Sequence, residues 1–333
     1  MSATSAPTSS TMQAVVQHTY GSSEVLQQAR VPRPKVGDNE VLVRVRAAGL
    51  DRGTWHLMTG RPYAVRLGIG LRRPRNPVPG RDVAGTVEAV GASVTRFSVG
   101  DAVFGIGSGT WAELASVRED KLALKPESLS FEQAAVVPIS ALTALQAVRA
   151  AGHVQPGRQV LVTGASGGVG SYAVQLAKAS GAEVTGVCST DKVDYVRSLG
   201  ADHVIDYTRE DFADGRHRYD VILDIAGNPT LSRLRRALTP HGTAVMVGGE
   251  NRGPLTGGMD RQLRGLALSV VVSQRMRPML NRERGSLLEE IAELIEAGRI
   301  APSLDRTYPL ERAPEAMRDL EAGVVRGKVA ITL

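Results

Sequence analysis

The chain has 333 residues, 42% apolar and 22% charged, the composition of a globular protein too large for a single hydrophobic core. Forty Lys plus Arg against 34 Asp plus Glu give a net charge of +6, and much of the excess gathers in Arg61, Arg66, Arg72, Arg73, Arg75 and Arg81. The one cysteine, Cys188, excludes an intramolecular disulfide and a multi-thiolate zinc site, and no apolar run nears the ~18 residues of a membrane span.

Residues 1–11 have neither the apolar core of a signal peptide nor the arginines of a transit peptide, so they read as a flexible tail on a cytoplasmic protein. The basic run has only Tyr63 for aromatic company, which argues against nucleic acid as a partner. Glu40–Arg46 alternates apolar and charged residues as a half-exposed strand does, and 83–90 and 102–105 continue the pattern. Short turn spacing through this first third predicts a compact β barrel.

The pattern changes near Pro138. An alanine-rich helix over 140–150 precedes a strand within 157–164 and a helix over 169–180 stopped by Gly181. Strand 183–187, helix 192–199 closed by Gly200, strand 203–206 and strand 220–225 follow. Asn228-Pro229 has the form of an N-cap with proline at the first helical position, and strand 243–247 comes after Gly242. The apolar run 266–273 reads as the last strand of this unit, and an apolar edge left bare invites pairing. Ser286 and Glu289 form a capping-box pattern for a helix that Gly298 stops; a helix from Pro314 and a strand over 329–333 close the chain. Strand alternating with helix at this spacing predicts a doubly wound parallel sheet.

The strongest chemical signal is Gly164-Ala-Ser166-Gly167-Gly168-Val169-Gly170, which follows a strand and opens a helix. Residues without a Cβ let backbone N–H groups close on a pyrophosphate at the helix N-terminus. An acid at the end of the second strand, about twenty residues on, favours NAD through the ribose hydroxyls. Here that strand runs into Ser189-Thr-Asp-Lys192, two hydroxyls and an ammonium that suit a 2′-phosphate, so NADPH is the expected cofactor.

Several ordered motifs carry a family likeness: 41–49 (VLVRVRAAG), 79–85 (PGRDVAG), 99–105 (VGDAVFG), 142–147 (LTALQA), the glycine turn, 199–207 (LGADHVIDY) and 327–331 (GKVAI). With them the chain resembles the medium-chain dehydrogenase/reductase superfamily, on the zinc-free quinone oxidoreductase side. The resemblance implies an α/β protein with a GroES-like β-rich catalytic domain, residues 12–140 and 275–333, around a central Rossmann domain, 141–274. It implies that Thr143 approaches the nicotinamide and that Ser189, Lys192 and Tyr207 contact the adenosine phosphate. Gly227, Gly248 and Lys328 then line the cofactor or close over it, and Asp51 meets the nicotinamide ribose. The resemblance also implies that two edges of the run 266–273 meet across a two-fold axis in a homodimer. Zinc-dependent relatives hold a metal at positions that here are Asp51, Arg81 and Ile139; arginine and isoleucine are no ligands, so no metal is expected.

Without a Lewis acid, a hydrogen-bond donor must meet the charge that develops on a substrate oxygen, and His56, Tyr63 and Arg52 are the candidates. The resulting reading is a zinc-independent, NADPH-dependent reductase of a quinone or α,β-unsaturated carbonyl. A zinc-free alcohol dehydrogenase or ketone reductase, or a non-catalytic NADPH- or RNA-binding protein, stands as the alternative. The basic loop 62–76 has no assigned role.

Overall fold

The computed structural model describes residues 10–249, 253, 255–279 and 281–333. The expected tail falls outside these for residues 1–9, and Thr11 already opens the strand Thr11–Val16. No helix among the described residues is long and apolar enough to cross a membrane.

Six strands form a fully parallel sheet in the order His203–Asp206, Glu183–Cys188, Gln159–Thr163, Tyr219–Asp224, Leu238–Met246, Arg275–Pro278. The first three run outward from the centre and the next three run the other way, which is the doubly wound order with its switch point between Gln159–Thr163 and Tyr219–Asp224. Loops leaving the carboxyl ends of those two strands diverge, and a crevice opens between them. The predicted strands and helices of this region lie close to where the sequence puts them, with Gly181 and Gly200 both at positive φ behind their helices.

Three local expectations in this half are corrected. The run 266–273 is not a strand: Met259–Leu268 is a helix, because Gly265 lets it settle on Met246 and Met276, and the last strand is Arg275–Pro278. The parallel sheet therefore reaches beyond residue 274, where the expected boundary lay. Asn228 is not the N-cap of the next helix; Thr230 is, its hydroxyl accepting the Arg233 N–H at 3.3 Å. Ser286 forms no capping box. Helix Gly285–Glu296 starts earlier, where a Cβ on Gly285 would stand 2.4 Å from the Leu122 carbonyl oxygen, and Glu289 is drawn to Arg96 at 2.6 Å.

The other half draws on both chain ends. Its seven-stranded sheet runs Leu304–Pro309, Lys328–Thr332, Glu40–Leu50, Asp82–Val90, Ala102–Ile106, Leu122–Leu124, with Leu114–Arg118 also paired to Glu40–Leu50. The long strand Glu40–Leu50 makes this possible: Leu114–Arg118 pairs with residues 40–44 and Lys328–Thr332 with residues 47–50. The pairings describe a branched sheet where a compact β barrel was expected. One core cluster fills the inside of this sheet around Val43, Trp111 and Ile331; another lies under the parallel sheet and joins the halves through Leu142 and Phe104.

Candidate active site

Strand Gln159–Thr163 ends in Gly164 at φ +66°, and helix Gly168–Ala179 begins after Gly167. No side chain caps that helix and no acid sits in its first turn, so its leading N–H groups face the crevice uncompensated. The turn is tight for a stated reason: a Cβ on Gly170 would stand 2.0 Å from the Gly164 carbonyl oxygen. A Cβ on Gly168 would press on Lys328 and Ser140 across the cleft, at 2.9 and 3.1 Å. The Gly327 N–H donates to the Ser166 carbonyl at 2.8 Å, so the segment before the last strand lies directly over the turn.

Two adjoining cavities make up the cleft. One, of about 420 Å³, lies between the halves; Asp51, Arg52, His56, Gly164, Ser166, Gly167, Gly168, Val169, Gly248 and Lys328 all line it. The other, of about 660 Å³, continues past Gly164 and Ser166 to Ser189, Asp191 and Tyr207, and Lys192 borders both. Most residues that the sequence nominated are thus brought to one surface. Gly170 and Gly227 act behind it: a Cβ on Gly227 would stand 2.3 Å from the Gly248 carbonyl carbon, so glycine lets two lining loops touch.

Two nominated residues are elsewhere. Thr143 lies outside the cleft lining, its hydroxyl donating to the Ile139 carbonyl one helical turn back at 2.7 Å and accepting from Asn281 at 3.1 Å. Tyr63 is exposed and faces Arg66, whose guanidinium sits 4.7 Å from its ring centroid.

At the inner end of the cleft, Asp51, Asp82 and Lys328 are all buried. The Lys328 Nζ stands 2.8 Å from Asp82 Oδ2 and 3.8 Å from Asp51 Oδ2. Asp82 Oδ1 also accepts the Ile139 N–H at 2.9 Å. Burial pushes the Asp82 carboxyl above the usual carboxylate range against the pull of Lys328. Asp51 caps helix Arg52–Thr59 through Oδ1, which accepts from the Thr54 N–H at 2.7 Å; its Oδ2 makes no hydrogen bond among the described residues. That buried, unsatisfied oxygen beside the cleft has room for a hydroxyl donor.

His56 follows on the same helix. Its Nδ1 lies 2.7 Å from the Arg61 carbonyl, which can only accept, so Nδ1 carries hydrogen and Nε2 is left for the cleft. Arg52 stacks over Trp55 at 5.6 Å. Of the three positions that hold metal in zinc-dependent relatives, Asp51 is a cap, Arg81 is ion-paired to Glu283, and Ile139 offers only backbone. A lysine ammonium stands between the nearby carboxylates, and this donor set does not fit a zinc ion.

At the outer end, the Lys192 ammonium donates to the Gly323 and Val325 carbonyls, and burial holds it below the usual lysine range. Two of its three hydrogens are used, and the third remains. Sequence reasoning missed Asp82 although it lies in a quoted motif, because burial is not visible in a one-letter string. It also missed Ser140 and Arg233, which the strand–helix pattern does not mark as cleft residues, and took Asn228 only for a helix cap.

Comparison with known proteins places the chain among dehydrogenases and oxidoreductases. Residues 37–127 match the model of the alcohol dehydrogenase GroES-like domain, and residues 199–331 match that of a zinc-binding dehydrogenase. The chain is 34% identical to the Bos taurus protein "NAD(P)H oxidoreductase RTN4IP1, mitochondrial", over 99% of this chain and 91% of that one. It is 31% identical to the Arabidopsis thaliana "Chloroplast envelope quinone oxidoreductase homolog", over 96% and 98%. The solved quinone oxidoreductase from Coxiella burnetii superposes with a TM-score of 0.86 at 28% identity, covering 97% of this chain and 99% of that one.

Proposed function

The chain belongs to the medium-chain dehydrogenase/reductase superfamily as a quinone oxidoreductase-like protein, an NAD(P)H oxidoreductase, and from that premise we propose that it uses NADPH, without zinc, to reduce a quinone or an α,β-unsaturated carbonyl. One observation carries the reading: an uncapped, glycine-lined helix start at the sheet's switch point faces, across one cleft, a buried cluster whose cation is a lysine.

Bound there, a nicotinamide cofactor supplies the hydride. The turn Gly164–Gly170 would hold its pyrophosphate with backbone N–H groups. Asp51 Oδ2 would accept from a ribose hydroxyl. Tyr207, the remaining hydrogen of Lys192 and, once turned from Asp191, the Ser189 hydroxyl would take the 2′-phosphate, with Arg233 in the cavity wall adding positive charge. The Asp191 carboxylate shares this cavity but is engaged by the Ser189 hydroxyl.

On the substrate side, His56 and Arg52 line the cleft and are the nominated residues able to donate to an oxygen there. Nδ1 of His56 is committed to Arg61, so donation requires a proton on Nε2. Conjugation spreads the arriving negative charge of a quinone or enone, which is the case a hydrogen-bond donor can serve in place of a metal. An isolated ketone concentrates that charge and needs stronger help. The test is a panel of quinones, enones and ketones offered with NADPH and then NADH, followed by loss of nicotinamide absorbance. Turnover of quinones and enones with NADPH preferred is expected; turnover of ketones alone would favour the carbonyl-reductase reading.

Homodimer formation is proposed on revised ground. Strand Arg275–Pro278 is the sheet edge, and Leu263, Leu266, Val270 and Val271 beside it in sequence are at least half exposed. Cys188 is buried and its thiol is pushed up to about 11 by burial, which keeps it inert. A lone inert thiol suits the reducing cytoplasm proposed as the location; the organelle names belong to the relatives.

A further inference from the structure

Residues 52–81 contain seven arginines and no aspartate, glutamate or lysine, leaving 33 basic against 34 acidic residues elsewhere. The positive charge of the protein is therefore the charge of this one segment. Its central part is a built knob. Tyr63–Val65 and Arg66–Ile69 are short helical turns, and the Arg66 guanidinium lies between the Tyr20 and Tyr63 rings at 4.4 and 4.7 Å. Arg66 Nε donates to the Gly60 carbonyl at 2.9 Å, and the Arg75 N–H donates to the Ile69 carbonyl at 2.8 Å.

That framework turns two leucines outward, Leu67 at 73% and Leu71 at 67% exposure. Next to Leu71, a cavity of about 490 Å³ is lined by Arg72, Arg73, Arg75, Gln17 and His18, with no carboxylate in its wall. Among the described residues, Arg61, Arg72, Arg73 and Arg75 form no ion pair. A single exposed leucine is ordinary. Two of them four residues apart on one knob, Leu67 on its short helix and Leu71 just past Gly70, set among arginines without ion pairs, match a surface that offers phosphates and hydrocarbon together. A nucleic acid would satisfy the arginines and leave the leucines in water.

We propose that the knob docks the protein reversibly onto an anionic phospholipid surface, with Leu67 and Leu71 entering the headgroup–acyl boundary and Arg72, Arg73 and Arg75 taking lipid phosphates. The interaction does not depend on which acceptor the cleft reduces.

Flotation of the full chain with phosphatidylcholine vesicles, with and without phosphatidylglycerol, tests it. Capture by the mixed vesicles that weakens with salt, and none by pure phosphatidylcholine, is expected. Replacing all three arginines (R72Q/R73Q/R75Q) should weaken capture about a hundredfold. Leu67→Ser with Leu71→Ser should weaken it about tenfold while leaving thermal stability unchanged. No capture by mixed vesicles, equal capture by both kinds, or capture indifferent to the leucine change overturns the proposal. Salt-sensitive retention of a single-stranded RNA without vesicle capture would instead make the knob a nucleic-acid face, and would also overturn it.

Discussion

The two ends of the cleft are made of different material. The end under the parallel sheet is backbone: a helix start without a cap, and glycines whose missing Cβ atoms leave room for loops to touch. The end against the β-rich half is side chain: Asp51, Asp82 and Lys328, drawn from distant parts of the sequence and held by one another, with His56 on the helix that Asp51 caps. A backbone site tolerates no added atoms but needs no particular charge. A side-chain site tolerates small changes in shape and depends on charge balance.

The balance is the easier of the two to break. Lys328→Met should cost about 3–5 kcal/mol by urea denaturation, because two buried carboxylates lose their cation. The loss should grow with pH. Asp82 then titrates still higher in the folded than in the unfolded chain, so its contribution is intact at low pH and falls as pH rises between those two values. A penalty independent of pH would mean that lost packing, not charge, is responsible.

His56 sharpens the chemical half of the comparison. His56→Ala should lower turnover by about 10²–10³ with little change in cofactor affinity. Tyr63→Phe should leave turnover unchanged, since that ring faces Arg66 outside the cleft lining. Equal losses in both variants would place the substrate where the structure does not.

At the backbone end, Gly170→Val should abolish cofactor binding by fluorescence titration and cost about 1–3 kcal/mol in thermal melts. Lys192→Ala should reduce the preference for NADPH over NADH roughly tenfold to a hundredfold, measured as the ratio of dissociation constants. The smallest effect belongs to the ion pair at the far margin. Burial raises the Glu283 carboxyl, but Arg81 and Lys121 overcome it and hold it below the usual range. Its stabilisation is therefore present above the ordinary carboxylate range and lost as pH falls through the depressed value. Glu283→Gln should remove on the order of 1 kcal/mol near neutrality and almost nothing in strong acid.

The same contrast governs what the sequence reveals. Gly164–Gly170, Gly181 and Gly200 mark local turns, and local geometry depends on nearby residues alone, so the parallel sheet and its crevice are legible. The substrate end depends on contacts across 277 positions between Asp51 and Lys328, which periodicity does not encode. Thr143 and Tyr63 carry the right functional groups but turn to Ile139 and Arg66. The run 266–273 is rich in β-branched residues and reads as a strand, yet Gly265 lets helix Met259–Leu268 pack against Met246 and Met276, so tertiary contact overrides propensity.

The most direct test is product analysis of a simple enone incubated with NADPH and protein freed of metal by a chelator. A saturated ketone, with its carbonyl intact and the rate unchanged by chelation, is the expected result. Allylic alcohol as the sole product, or activity that vanishes with the chelator and returns with zinc, would contradict a zinc-free reduction in which the glycine turn holds the cofactor and His56 or Arg52 meets the substrate oxygen.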